Sequence, residues 1–291
     1  MEIFSCMVIL DKPTLQLLNS STVVAFTGAV RLHIAFLLAG IVTRIPIYIA
    51  FGLIVYATYT LDRSIDCAED TINNPGRSGA DHTIGLFAAV AAFCGGSFLL
   101  VQEGIFLAPL FPLLIGYLYT RGIRIGSEKY TLKGSCGGKN CVIGVTWGGT
   151  IALITSHWCT TTVTLAVIFI FYFSKMFVNS VVFDFKDITG DKAAGIRTLP
   201  VWIGETSTRA VLIAVILALH LFMISALIAG FIRNEWIIIL YGLCIPSSFL
   251  LFYSSSFEAQ AGIIKRRLRE IVIIGEPALS LAARSCLGVF I

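Results

Sequence analysis

Charged residues are scarce in this chain, and their scarcity excludes the ordinary soluble classes of protein. Only 13% of the 291 residues are Asp, Glu, Lys or Arg, against about 25% in a typical soluble domain. Apolar residues make up 57%, and the mean hydropathy is +0.88. This composition predicts an all-α polytopic membrane protein that is large enough to enclose a cavity. The net charge of +4 is modest, so we expect the lipid bilayer as a partner and no nucleic acid.

Paired cysteine motifs and a secretion signal are also missing. The eight cysteines are scattered and form no CxxC pair, so neither a zinc site nor a disulfide framework is predicted. The N-terminus is apolar but begins with Glu2 and lacks the basic region and cleavage site of a signal peptide. We therefore predict a single transmembrane domain over 1–291, with 1–18 as an interfacial segment.

Long apolar runs divide the chain into about nine predicted membrane spans, each near the roughly 20 residues that a crossing helix needs. They lie near 20–41, 44–61, 83–101, 104–120, 140–156, 160–183, 208–230, 235–254 and 271–290. Most Lys and Arg residues fall in alternate connections, near 62–82, 121–139, 184–207 and 255–270. By the positive-inside rule these connections are cytoplasmic, with the N-terminus inside and the C-terminus outside.

Aspartates at helical spacing follow two of the predicted spans. Asp184, Asp187 and Asp191 come after the sixth span, at intervals that place them on one face of a helix. The second span ends in a similar set at i, i+4 and i+8: Asp62, Asp66 and Asp70. Two four-helix halves, followed by a last helix, would bring the two sets face to face across a central cavity.

Two opposed carboxylate clusters at a membrane require a counter-charge. Mg²⁺ fits, because it takes one or two carboxylates and completes its shell with water and phosphate oxygens. All six aspartates are the predicted metal ligands, and the predicted catalytic residues are Asp66, Asp70, Asp187 and Asp191.

Basic residues of the same connections are the predicted phosphate partners: Arg77, Lys133, Lys139, Lys192 and Arg197. As an alternative, each one of them is an ordinary positive-inside anchor. The glycine-rich stretch 134–140 is not a P-loop, because Asn140 stands where Ser or Thr would hold magnesium and no strand precedes it.

At these residues the chain resembles the UbiA superfamily of intramembrane prenyltransferases. The first family motif, NxxxDxxxD, corresponds to residues 62–70, with Asp62 in place of the usual Asn. The second, D-x-x-D-x-x-G-D-x-x-x-G-x-x-T-L-P-V, is matched by residues 184–201. The connection after the fourth span resembles the basic loop of the family, through Tyr117, Tyr119, Arg121, Lys139 and Asn140.

The resemblance implies nine transmembrane helices around a cavity that opens sideways to lipid. It also implies that Mg²⁺ bridges the aspartate motifs to an isoprenyl diphosphate, whose ionisation gives an allylic cation that a hydrophobic acceptor attacks. Tyr117 or Tyr119 would lie near the cation and stabilise it by a cation–π contact. An apolar chamber would protect the cation from water. An aromatic ring and a lipid alcohol both remain open as the acceptor, and so does the prenyl chain length.

An ion-coupled transporter that uses the same aspartates is the alternative function. Carriers place such residues near the bilayer midplane and often in inverted repeats, whereas both clusters here lie at the cytoplasmic ends of helices in a parallel repeat. A CDP-alcohol phosphotransferase would also use membrane aspartates and Mg²⁺, but its D-G-x-x-A-R signature is missing. The sequence therefore favours a Mg²⁺-dependent prenyltransferase.

Overall fold

The computed structural model describes residues 12–287 except for 43, 65–80, 122, 126–127, 131–136, 194 and 253–262. Within this part the chain is helical, apart from one short antiparallel hairpin of β1 (Ile123–Ile125) and β2 (Glu128–Tyr130). The helices are α1 (Lys12–Ala39), α2 (Ile45–Ser64), α3 (His82–Gln102), α4 (Leu110–Arg121), α5 (Gly138–Thr155), α6 (Thr162–Ala193), α7 (Leu199–Ile203), α8 (Glu205–Ile228), α9 (Trp236–Phe252) and α10 (Ile263–Leu287).

Each predicted span overlaps one helix in the described part of the chain, although α4 begins at Leu110 and has only 12 residues. The largest difference lies in α6, which continues to Ala193 rather than ending near 183, so that the second aspartate set lies inside a helix. Helix α1 begins at Lys12, and residues 12–18 therefore belong to the first long helix. Length and hydropathy suffice for a membrane crossing in α1, α2, α3, α6 and α8. The full count of nine crossings and the interfacial role of 1–18 stay predictions.

Helix α1 connects the two halves of the bundle. Helix α2 packs against α1 and α3, α5 packs along α6, and α9 contacts α8 and α10. Helix α1 also contacts α5, α6 and α10. The main apolar core therefore joins side chains from both halves, such as Phe36 and Phe51 with Ile151 and Phe171.

Two glycines allow α5 and α6 to approach closely. A Cβ on Gly148 would lie 2.8 Å from the backbone nitrogen of Phe173, and one on Gly144 would lie 2.9 Å from the carbonyl oxygen of Phe173. Glycines four residues apart share a helix face, and such small-residue faces are typical of tight helix pairs in membranes. This contact fixes the register in which the first turn of α5 meets the last turns of α6.

Gly195 ends α6 directly after its aspartates. Its φ is +72°, a left-handed conformation that favours glycine. The backbone N–H of Ile196 donates to the carbonyl of Asp191 at 2.8 Å, and that of Gly195 donates to Lys192 at 3.2 Å. These are the two hydrogen bonds of a Schellman motif. The motif keeps Asp191 in the last turn of α6, on the face that carries the other two aspartates.

Candidate functional site

Asp184 is held by the first turn of α5. Asn140 Nδ2 donates to Asp184 Oδ2 at 2.8 Å and lies 2.9 Å from Ser180 Oγ. Lys139 Nζ lies 3.4 Å from Asp184 Oδ1. Asp184 is only 1% exposed, and a buried carboxylate is costly unless it is both paired and hydrogen-bonded. Lys139 pairs with the Asp184 carboxylate, and Asn140 donates a hydrogen bond to it. The structure therefore brings these three predicted site residues together.

Asp187 and Asp191 continue the same face toward the end of α6. Asp187 is half-buried and lies 3.6 Å from Lys186 Nζ. Asp191 is buried, and its Oδ2 has no hydrogen-bond partner within the described residues. The same is true of Asn140 Oδ1. A buried acceptor without a donor costs about 1–3 kcal/mol, and more when it is charged. The cluster therefore contains acceptor oxygens that a cation or a hydrogen-bond donor would satisfy.

The oxygen atoms of this cluster are of the chemical type that binds Mg²⁺. They are carboxylate and amide oxygens, which hard cations prefer, and two of them have no partner within the described residues. No group of three or more His, Cys, Asp or Glu residues that could hold a metal occurs in the described ranges. The described residues therefore supply at most the Asp184 side of the predicted metal site, and the predicted opposite ligands Asp66 and Asp70 lie outside the described residues.

The described part of the first motif lies at the end of α2. Asp62 is exposed in the last turn of that helix. Arg63 Nη1 donates to Ser21 Oγ at 2.9 Å, and its guanidinium carbon lies 5.4 Å from the ring centroid of Tyr59. These contacts connect the end of α2 to α1 and to an aromatic ring deeper in the bundle.

Other predicted site residues are placed only in part. Arg77 and Lys133 lie outside the described residues. Tyr117, Tyr119 and Arg121 belong to the last turns of α4, but their side chains also lie outside the described part. Lys192 and Arg197 are exposed beside the aspartates. The roles predicted for these residues therefore remain predictions.

A cavity lies between α1, α2, α5 and α6, deeper in the bundle than the aspartates. It is narrow: the centre of a water-sized sphere can occupy only about 10 Å³ of it. Its lining residues are Val24, Gly28, Arg31, Phe51, Val55, Tyr59, Trp147, Ile151 and Met176. At 1.5 Å per residue, Tyr59 lies about 4–5 Å along α2 from Asp62, and Trp147 about 10 Å along α5 from Asn140. An apolar group attached to a head at the aspartates would therefore reach this cavity.

Aromatic rings form one wall of the cavity. The ring of Tyr59 stacks on that of Trp147, with centroids 5.6 Å apart and an interplanar angle of 11°. Phe51 meets Trp147 edge to face at 6.2 Å. These residues were not predicted from the sequence, although a signal was present. Tyr59 precedes Asp62 by one helical turn, and Trp147 follows Asn140 by two.

Known proteins with a similar sequence or fold identify the family. The model of the UbiA prenyltransferase family matches residues 18–264, which include all six aspartates. A solved structure of a UbiA homolog from Archaeoglobus fulgidus, bound to DMAPP and Mg²⁺, has a TM-score of 0.58 and 14% identity to this chain. The match covers 94% of this chain and 99% of that one and shows that the two share a fold. No curated protein sequence matches the chain. The resemblance predicted from the aspartate motifs is therefore confirmed, and the chain belongs to the UbiA prenyltransferase family.

Proposed function

We propose that the protein transfers the isoprenyl group of an isoprenyl diphosphate to a hydrophobic acceptor within the membrane, with Mg²⁺ as its cofactor. The observation that carries this proposal is the Asp184–Asn140–Lys139 cluster, with the unpartnered oxygen of Asp191 beside it. An aromatic-walled cavity lies about 10 Å further into the bundle. The cluster suits a charged head, and the apolar lining of the cavity suits an apolar tail once the lining side chains move apart to admit it. We further propose that the aspartates face the cytoplasm.

The six aspartates would hold the metal and, through it, the diphosphate: Asp62, Asp66, Asp70, Asp184, Asp187 and Asp191. When bound, Mg²⁺ supplies positive charge that stabilises the departing diphosphate. Asn140 and Lys139 orient Asp184 by binding one oxygen each. Lys192 and Arg197 are exposed and follow the aspartates closely in the sequence, so they would pair with the phosphate groups. Arg77 and Lys133 would pair with them in the same way.

The aromatic pair of Tyr59 and Trp147 would stabilise the allylic cation. Ring faces attract cations, and the attraction strengthens where water is excluded. In the reaction, the bond between the prenyl carbon and the diphosphate oxygen breaks, and its electron pair leaves with the diphosphate. The acceptor then bonds to the same carbon and loses a proton. The apolar lining protects the cation from water until the acceptor attacks.

Arg31 favours an acceptor that carries negative charge. It lines the cavity at 7% exposure. Its backbone carbonyl accepts a hydrogen bond from Tyr172 Oη, and its guanidinium group is attracted electrostatically by the Glu276 carboxylate. Glu276 offsets only part of the cost of burying this cation, and a carboxylate or phenolate on the acceptor would add a second compensating charge. Of the acceptors that the sequence leaves open, an acidic aromatic compound fits Arg31 better than a neutral lipid alcohol.

Product analysis tests the proposed function. The protein, reconstituted in lipid nanodiscs, would be incubated with labelled dimethylallyl, geranyl, farnesyl and geranylgeranyl diphosphates and a panel of acceptors, with products identified by mass spectrometry. We expect a prenylated product that forms with Mg²⁺, disappears with EDTA and returns when Mg²⁺ is restored. Absence of product with every donor, together with ion-driven uptake into proteoliposomes, would favour the transporter instead.

A further inference from the structure

Thr198 lies buried where the chain turns from α6 into α7. It is 3% exposed, and its carbonyl oxygen accepts a hydrogen bond from the N–H of Trp202 at 2.9 Å, the first of α7. Its hydroxyl oxygen is also buried, and in the described part of the chain it completes no hydrogen bond. A buried hydroxyl without a partner is costly. The hydroxyl therefore needs a partner that the helices alone do not supply.

The usual structural roles of a buried threonine do not account for this hydroxyl. A threonine directly before a helix caps it by accepting from the N–H of the second or third helical residue. The second residue of α7 is Pro200, which has no N–H, and the Thr198 side chain forms no capping hydrogen bond. The buried Thr150 and Thr155 instead donate to the carbonyl four residues earlier in their own helix. Thr198 precedes its helix and has no such carbonyl.

The carboxylate of Asp191 lies beside the Thr198 hydroxyl. The backbone N–H of Ile196 donates to the carbonyl of Asp191 at 2.8 Å, and this turn brings Thr198 back to the last turn of α6. The two side chains interact at hydrogen-bonding range, but neither Thr198 Oγ1 nor Asp191 Oδ2 completes a hydrogen bond among the described residues. A hydroxyl can donate and a carboxylate only accepts, so one hydrogen bond between them would satisfy both groups.

The same turn also contacts the start of α5. A Cβ added to Gly137 would lie 3.8 Å from Leu199 Cγ, so the Leu199 side chain packs against the residue that precedes α5. Gly137 has a φ of +69°, a left-handed conformation that favours glycine. Lys139 and Asn140, which hold Asp184, follow in the first turn of α5. The turn is therefore packed against both helices that carry the aspartate cluster.

We propose that Thr198 is a positioning residue, whose hydroxyl donates a hydrogen bond to the Asp191 carboxylate and orients it for binding Mg²⁺. The inference rests on the proposed function, in which Asp191 is one of the metal ligands. It extends that function to a side chain that is neither a proposed metal ligand nor a proposed phosphate partner.

A carboxylate that binds a metal is normally hydrogen-bonded itself, because the hydrogen bond fixes its orientation. Asp184 has such a donor in Asn140 Nδ2, at 2.8 Å. Asp191 is as deeply buried as Thr198, at 3% exposure, so water cannot easily take the place of a protein donor. The Thr198 hydroxyl would thus do for Asp191 what Asn140 does for Asp184.

Thr198→Val removes the hydroxyl and keeps the branched shape of the side chain. Because the hydroxyl completes no hydrogen bond in the described structure, we expect little change in the thermal midpoint measured without Mg²⁺. The Mg²⁺ concentration that gives half-maximal binding of labelled geranyl diphosphate should rise by about 10–100-fold, the usual effect of losing such a partner. Saturating Mg²⁺ should restore most of the binding. Titrations on the full-length protein in nanodiscs measure both quantities.

Thr155→Val is the matched control for this titration. It removes another buried hydroxyl, which donates to the carbonyl of Ile151 at 2.7 Å, at the end of α5 far from Asn140. It should therefore leave the Mg²⁺ requirement unchanged, whatever its effect on stability.

Thr198→Ser and Thr198→Ala give a second test that does not depend on the folding of the valine variant. Both lack the methyl group and differ only in the hydroxyl. The serine variant should keep the wild-type Mg²⁺ requirement, and the alanine variant should show the 10–100-fold increase. A wild-type requirement in Thr198→Val, or equal requirements in the serine and alanine variants, would overturn the inference. A wild-type protein that binds no geranyl diphosphate at any Mg²⁺ concentration would instead overturn the proposed function itself.

Discussion

The two ends of the helix bundle differ in how their charges are matched. At the end opposite the aspartates, Arg284 forms two hydrogen bonds with Glu235, one of them 2.7 Å long. Arg44 at that end pairs with Glu103 at 3.6 Å. At the aspartate end, the buried Oδ2 of Asp191 has no partner within the described residues.

This difference separates structural charges from functional ones. A carboxylate matched by an arginine needs nothing further, and its contribution is to hold helix ends together. A buried carboxylate oxygen without a donor persists only where another requirement outweighs its cost. We therefore interpret the paired charges as stabilising the fold, and the charges at the aspartate end as binding a ligand. Substitutions at the paired end should accordingly change the free energy of unfolding, whereas those at the aspartate end should change the rate of prenyl transfer.

The largest effect is expected from the aspartates of α6. Asp187→Ala and Asp191→Ala should each abolish prenyl transfer, by about 10³-fold or more, because metal and diphosphate lose a ligand. Product formation in nanodiscs measures this, and thermal unfolding checks that the variants remain folded. Asp81→Asn is the matched control, since Asp81 caps α3 and Asn caps equally well. Retained transfer by both alanine variants would refute the site.

A smaller loss is expected when the support of Asp184 is removed. Asn140→Leu leaves Asp184 Oδ2 without its donor and should lower the free energy of unfolding by about 1–3 kcal/mol. Transfer should fall by roughly 10–100-fold, the usual effect of losing a group that orients a metal ligand. Denaturation and kcat measured on the same preparation test both effects. Wild-type kcat would show that Asn140 has no role in orienting Asp184.

The close approach of α5 and α6 offers a weaker, indirect perturbation. In Gly148→Ala the added Cβ would lie 2.8 Å from the backbone nitrogen of Phe173, so the helices must separate. We expect destabilisation of about 1–3 kcal/mol, as for an overpacked core, and a several-fold loss of transfer as Asn140 moves away from Asp184. Cross-linking or distance measurements between residues 140 and 184 would follow the separation. A stable variant with full activity would contradict this account of how the helices meet.

The smallest effect on activity is expected at the paired end. Arg44→Ala removes a half-exposed ion pair and should change the free energy of unfolding by about 0–1 kcal/mol. Glu235→Gln should weaken the bond to Arg284 and cost about 1 kcal/mol. Both variants should transfer prenyl groups at the wild-type rate while folded. A strong loss of transfer with intact folding would remove the distinction between the two ends.

The sequence predicted the helices and the aspartate face well, because both depend on local patterns. Apolar runs marked the long helices, the spacing of Asp184, Asp187 and Asp191 placed them on one face, and the family resemblance singled out Lys139 and Asn140. The sequence predicted the aspartates at the end of the sixth span correctly, but it predicted the end of that helix near 183, ten residues before its end at Ala193. Polar residues can extend a helix beyond its apolar run, and hydrophobicity alone does not show where it stops.

The cavity and the buried Lys175–Glu276 ion pair could not be predicted in the same way. A helix that is apolar on all sides gives no sign of which face turns inward, so Tyr59 and Trp147 were overlooked in favour of tyrosines in α4. Lys175 and Glu276 are 101 residues apart, and their contact depends on how α6 and α10 pack. For the same reason the sequence assigned no function to Glu276.

Metal-dependent binding of the donor tests the central claim most directly. Equilibrium binding of labelled geranyl diphosphate to the reconstituted protein would be measured with Mg²⁺, with EDTA, and after Mg²⁺ is restored. The same series would be repeated with the double variant Asp187→Ala/Asp191→Ala. We predict binding that requires Mg²⁺ and is lost in the double variant, because the aspartates hold the diphosphate through the metal. Equal binding in EDTA, or undiminished binding by the double variant, would contradict the account.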